Sequence, residues 1–240
     1  MDEAKKVSIQ NIVDREIKKF ADSYEARFTN EVNDPEGVIN SKKNNCFVAE
    51  LGKEFMFYSA FVRSFDSSFG KVLEKIGNEV AKLSYDVRGN IDSFLLPQQS
   101  QHMDYIILEY EKHRKPMTSD YCDFTCMIPA DTRSFEKSHV TDHYFYNNEK
   151  NEHYLIELKA GGDLDNKKAK TEKLAMLQEY FILKNSLRDK PNDKIKLFLG
   201  TAYNKYGENS EWKQERVVRM KLKTMFVKRM KYIRNIMTLL

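Results

Sequence analysis

The chain has 240 residues, 41% of them hydrophobic and 32% charged, which is enough to bury one substantial core. No apolar run approaches the roughly 18 residues that a membrane span needs, which argues against an integral membrane protein and a membrane partner. The formal charge of +4 is unevenly spread: Lys213 to Arg234 carries nine Lys or Arg against one acid, Glu215, and such asymmetry favours a polyanionic partner.

In chain order, residues 7–28 read as an amphipathic helix, with Ile9, Val13, Ile17, Phe20, Tyr24 and Phe28 at three- and four-residue steps. Residues 30–46 are polar and read as a loop. A second helix is expected over about 47–64. A third, capped by Ser67 or Ser68, runs to about Leu83 on a stripe of Phe69, Leu73, Ile76, Val80 and Leu83. From residue 104 the texture becomes strand-like, at Tyr105–Tyr110 and again at Tyr121–Ile128 before Pro129. Two further short strands joined by a polar turn span 142–159, and Gly161-Gly162 follows. A helix is expected over about Lys168–Asn185, a strand from Ile195 to Tyr203, and a long basic helix from about 214. This order predicts an α/β fold with a mixed central sheet flanked by helices and an N-terminal helical layer. One domain over 1–240 is expected, with 1–100 mainly helical and 101–240 forming the α/β core and the basic C-terminal helix.

The cysteines, Cys46, Cys122 and Cys126, are odd in number and form no C-x-x-C pair. With no signal-peptide pattern, they point to a reduced, cytoplasmic setting.

The hairpin carries the chemistry. Strand side chains alternate faces, so Glu157 and Lys159 share one face and Leu158 takes the other. If the hairpin is symmetric about Glu149–Lys150, Asp142 lies opposite Glu157, and directly opposed β carbons sit about 5 Å apart. Two carboxylates then converge with an ammonium two residues along. That set suits a divalent metal held by carboxylates beside a phosphate, with the lysine orienting a water or stabilising developing charge. Asp123 is the rival for the first acid and Asp120 a weaker one; the hairpin pairing favours Asp142. Taken alone, Glu157 and Lys159 would also serve as an ordinary charge pair on a solvated strand face.

The pattern Asp142…Glu157-Leu158-Lys159 resembles the active-site signature of the PD-(D/E)XK nuclease superfamily, although Thr141 stands where the nominal motif has Pro. Longer blocks are similar to type II restriction endonucleases of the TdeIII-type family: Ser119–Cys126, Arg133–His139, Thr141–Phe145, Glu157–Ala169 and Gly200–Lys205. The resemblance implies Mg²⁺-dependent cleavage of double-stranded DNA at a short palindrome, with Mn²⁺ as a substitute ion. It also implies a homodimer whose two-fold axis matches that of the DNA, and a cognate DNA methyltransferase acting on the same sequence.

By the same resemblance a helix glutamate joins the metal, and Glu79, beside an apolar stripe, fits better than Glu74. Lys167, Lys168 and Lys170 follow the hairpin and are candidates for phosphate contact, with Asn166 a candidate for reading a base edge. His139 and His143 are four apart, but on a loop and strand that spacing does not make a metal pair. Two other functions share these features: a structure-specific nuclease of the resolvase or repair type, and a DNA-binding module without catalysis.

Overall fold

Asp2 starts the first helix by accepting from the Ala4 N–H at 3.4 Å, and α1 then runs Glu3–Asn33. The computed structural model describes residues 2–114, 117–159 and 166–201, with Tyr206 and Lys213. The chain divides into two compact units, Met1–Val80 and Ala81–Leu240.

In the first unit the expected stripe of α1 is buried at Ile9, Tyr24 and Phe28, whereas Ile17 stays exposed and Glu16 is covered in its place. The reason is a charge cluster: Lys75 and Arg15 approach the Glu16 carboxylate at 2.7 and 2.8 Å. Asn45 caps the short α2 (Cys46–Glu50), accepting from the Phe47 and Val48 N–H groups. Gly52, at φ +90°, then breaks the chain before α3 (Lys53–Ala81); at that φ a side chain would be strained.

The two helices expected over 47–83 are thus mostly one, and Ser67 and Ser68 lie inside it rather than at a cap. Phe57, Phe61, Phe65 and Phe69 repeat at four-residue steps and stack at 5.4–6.3 Å between ring centres. They carry the helix through the serines, because burial of an aromatic outweighs the weak preference of Ser for a cap. Tyr24 and Phe28 of α1 pack against this ladder.

The second unit holds a four-stranded sheet in the order β1 (Asp86–Phe94), β2 (Glu136–Asn147), β3 (Glu152–Lys159) and β4 (Lys194–Thr201). β1, β2 and β3 are antiparallel neighbours, while β3 and β4 are parallel and are linked by α6 (Asn166–Ser186). A parallel pair needs such a crossover. The sheet is therefore mixed and flanked by helices, as the sequence implies. On one face Tyr144, Leu155, Leu197 and Leu199 pack with α4 (Pro97–Glu111) and α6. On the other, Phe145, Tyr154 and Ile156 pack around Tyr85 and Ala81.

Two expected strands are not strands. Tyr105–Tyr110 lies in α4, whose buried residues Gln99, Met103, Ile106, Ile107 and Tyr110 form a helical stripe; the β-branched and aromatic composition of the short run concealed that period. Tyr121 and Cys122 end the short helix α5 (Ser119–Cys122), and residues 124–132 have no regular structure. β1, by contrast, was not foreseen: Asp86-Val-Arg-Gly-Asn-Ile-Asp is polar, and only Ile91 and Phe94 of the strand are buried. The expected basic helix from about 214, Gly161-Gly162 and the block Ala202–Lys205 lie outside the described residues.

Candidate active site

The hairpin register matches the symmetric one: His143 pairs with Ile156, Tyr144 with Leu155 and Asn147 with Glu152. Its turn is set by Asn147, whose side chain accepts from the Lys150 N–H at 3.0 Å, and by Asn151 at φ +50°, a conformation Asn tolerates. The ladder ends at the His143–Ile156 pair, one step short of Asp142 and Glu157. Asp142 does not open its strand, however; β2 begins at Glu136. Arg88 of β1 pairs with Tyr144 and Asn90 with Val140, so Gly89 alone faces Thr141, Asp142 and His143. Asp142 therefore sits in a bulge, a feature that re-aims a strand side chain.

The re-aimed carboxylate accepts from the Leu158 N–H at 2.7 Å, standing in for a ladder carbonyl between Glu157 and Lys159. Glu157 and Lys159 share the strand face of Leu155, the face covered by α6. Lys159 Nζ lies 2.7 Å from Glu157 Oε1 and 3.0 Å from Glu172 Oε2, on α6.

Burial, the largest influence, raises the Glu157 carboxyl above its ordinary range; Asp142 adds to this and Lys159 opposes it. Burial alone would lower the Lys159 ammonium, but Glu157 and Glu172 outweigh it and the net direction is upward. The ammonium thus stays charged, held from the strand by Glu157 and from α6 by Glu172. Seven residues along the same face of α6, Glu179 is 1% exposed and faces His139 Nδ1 at 3.2 Å. The alignment is poor for a hydrogen bond, and neither Glu179 oxygen has one. Burial raises the Glu179 carboxyl, with Asp142 contributing, while contact with Glu179 raises His139.

The sequence profile of the family described as type II restriction endonuclease, HinfI, matches residues 5–231. The chain belongs to the HinfI family of type II restriction endonucleases. The family cleaves DNA, which makes this HinfI-family chain a nuclease. The match supports the restriction-endonuclease class read from the sequence blocks but returns HinfI rather than the TdeIII-type family. No curated protein and no solved structure matches the chain.

For a HinfI-family nuclease the expected residues are distributed as follows. Asp142, Glu157 and Lys159 are gathered at the end of the hairpin. Asp123 is exposed, just beyond α5, in a cleft with His102, Tyr105 and Phe124; no described contact joins it to the Glu157 cluster. Asp120 is held by Arg114, the Tyr110 hydroxyl and the Met117 N–H, an anchor for the chain around α5. Glu79 belongs to α3, in the first unit. Lys167, Lys168 and Lys170 lie exposed in the first two turns of α6, which begins at Asn166, and Lys170 pairs with Glu111 at 2.7 Å. His143 is fully buried and held neutral, its pKa lowered by burial to about 4; it does not pair with His139.

The donor set fits a hard cation. Asp142 and Glu157 bring carboxylate oxygens into a half-buried place where burial and the neighbouring Asp142 disfavour the Glu157 charge. Among the described residues no group of three or more Asp, Glu, His or Cys stands ready to hold a metal alone. A divalent cation bound by one or two carboxylates takes its remaining ligands from waters and substrate phosphate. Sequence reading missed Glu172 and Glu179. Their signal, two acids seven apart on one helix face after the hairpin, was masked by the many Lys and Glu around them.

Proposed function

We propose that the chain is a type II restriction endonuclease of the PD-(D/E)XK kind, hydrolysing double-stranded DNA at a short palindromic sequence with Mg²⁺, or Mn²⁺ in its place. The observation that carries the reading is the Asp142 carboxylate on the Leu158 N–H, which ties the first acid to the strand bearing Glu157 and Lys159. Asp142 and Glu157 would hold the ion. When bound, it supplies a polarised phosphate and a water of lowered pKa. Lys159 would orient that water and offset charge developing on the phosphate. Lys167 and Lys168 would contact the DNA backbone, and Asn166 a base edge.

A palindromic site calls for a two-fold homodimer, each subunit cutting one strand. A cytoplasmic enzyme of this kind needs a DNA methyltransferase of matching specificity to protect host DNA; no complex between the two is required. The test is incubation of the protein with plasmid DNA and Mg²⁺, followed by sequencing of the fragment ends. Discrete ends sharing one short symmetric sequence are expected. Preference for branched DNA would replace this reading with a structure-specific nuclease, and absence of cutting in Mg²⁺ and Mn²⁺ would sink it.

A further inference from the structure

Lys159 is held from two sides: by Glu157 on its own strand and by Glu172 on α6. The two carboxylates belong to different elements, and their chemical positions differ. Glu157 is also the residue proposed to hold a metal ion, so its oxygens are shared between two cations once the site is loaded. Glu172 also meets the Glu157 side chain, whose carboxyl it helps to raise, and lies at the edge of the cluster, with 21% of its side chain exposed. Its neighbours on α6 are anchored in the core: Ala169, Lys173, Met176 and Leu177 are all buried. The carboxylate is thus carried on a rigid segment that cannot follow Lys159 if the lysine swings away.

From this arrangement we propose that Glu172 is a positioning residue for Lys159: it tethers the ammonium to α6 and fixes where the lysine stands when Glu157 is engaged elsewhere. This rests on the nuclease reading given above. A lysine side chain has considerable rotamer freedom to lose, and one carboxylate partner leaves much of it. A second partner from a packed helix removes alternative rotamers before substrate arrives. Displacement of a catalytic group by about 1 Å costs on the order of 100-fold in rate, so the tether matters even though Glu172 need touch neither DNA nor metal. The exposed face of the same helix carries Lys167 and Lys168, so α6 would couple placement of the DNA backbone to placement of Lys159.

The test is a double-mutant cycle. Wild type, Glu172→Ala, Glu172→Gln, Lys159→Gln and the Glu172→Ala/Lys159→Gln double variant are compared in single-turnover cleavage of a plasmid that the wild type cuts. DNA affinity is measured with Ca²⁺ replacing Mg²⁺. Glu172→Ala is expected to slow cleavage about 10- to 100-fold with DNA affinity unchanged. Glu172→Gln, whose amide oxygen still accepts from the ammonium, should recover part of the loss. In the Lys159→Gln background Glu172→Ala should change the residual rate less than about twofold.

Independently of activity, limited acylation followed by peptide mass analysis should show Lys159 labelled several-fold faster in Glu172→Ala than in wild type. A full-rate Glu172→Ala enzyme, an equal loss in both backgrounds, or unchanged labelling of Lys159 would each overturn the tether while leaving the nuclease reading intact. A wild-type chain that cuts no DNA would overturn the nuclease reading and this inference with it.

Discussion

Replacing Glu157 by Gln keeps the size of the side chain and an oxygen for Lys159 but removes the charge the carboxylate would present to a bound cation, and two opposed effects should follow. A unit charge about 4 Å from another interacts by about 4 kcal/mol at an effective dielectric near 20. A dication doubles this, and rehydration of the freed ion returns about half, leaving a loss of about 4 kcal/mol, or roughly 10³-fold in cleavage rate. Folding stability should move the other way. The Glu157 carboxyl is raised chiefly by burial. An acid whose folded pKa lies above its unfolded value is penalised at pH above that unfolded value, so the neutral Gln removes a penalty at pH 7. Loss of attraction to Lys159 offsets part of this, since Glu172 still holds the lysine, and the net gain should be about 1 kcal/mol. The gain should vanish as pH falls below the ordinary carboxyl range, where Glu157 is protonated folded or unfolded. The assays are single-turnover plasmid cleavage in Mg²⁺ and urea denaturation in EDTA at pH 7 and pH 4. A variant that cuts within tenfold of wild type, or that loses more than about 1 kcal/mol of stability in EDTA, would refute the reasoning.

Lys159→Ala should lower cleavage at least about 100-fold while DNA affinity in Ca²⁺ stays within twofold of wild type. Asn185 and Gln99 exchange two hydrogen bonds of 2.9 Å, and Asn185 donates a third to Phe94 O at 2.7 Å. Asn185→Leu should therefore cost about 3 kcal/mol in urea denaturation, and adding Gln99→Leu should cost less than the sum of the two. The Glu16 carboxyl is lowered to about 2, first by Lys75 and then by Arg15. Its contribution is present above the ordinary carboxyl pKa and is lost as pH falls toward 2. The partners are half-exposed, so Glu16→Gln should cost about 1 kcal/mol at pH 7, with the gap narrowing between pH 5 and pH 3. Lys167→Ala and Lys168→Ala should each reduce the salt slope of DNA binding by about 1.

The site was legible in part because its signal is local. Two short strands around a polar turn have a register that turn symmetry can supply, and period-two alternation then assigns Glu157 and Lys159 to one face. The same reasoning found α6, whose buried run is long, and the mixed character of the sheet. It failed where local composition and burial disagree. Tyr105–Tyr110 has the residues of a strand, yet Met103, Ile106, Ile107 and Tyr110 are buried at helical spacing. Ser67 and Ser68 have the chemistry of a cap, yet the stacked phenylalanines run through them. β1 escaped because a polar edge strand buries too little to leave a pattern.

Sequence by itself determined that acid, acid and lysine stand on two neighbouring strands, since that spacing is held by covalent order and strand alternation alone. Tertiary structure decided what stands around them. The bulge opposite Gly89 turns Asp142 to the Leu158 N–H, and the packing of α6 on the sheet brings Glu172 to Lys159 and Glu179 to His139. Those contacts join residues far apart in the chain, and their geometry depends on how helix and sheet share a core, which no local pattern encodes.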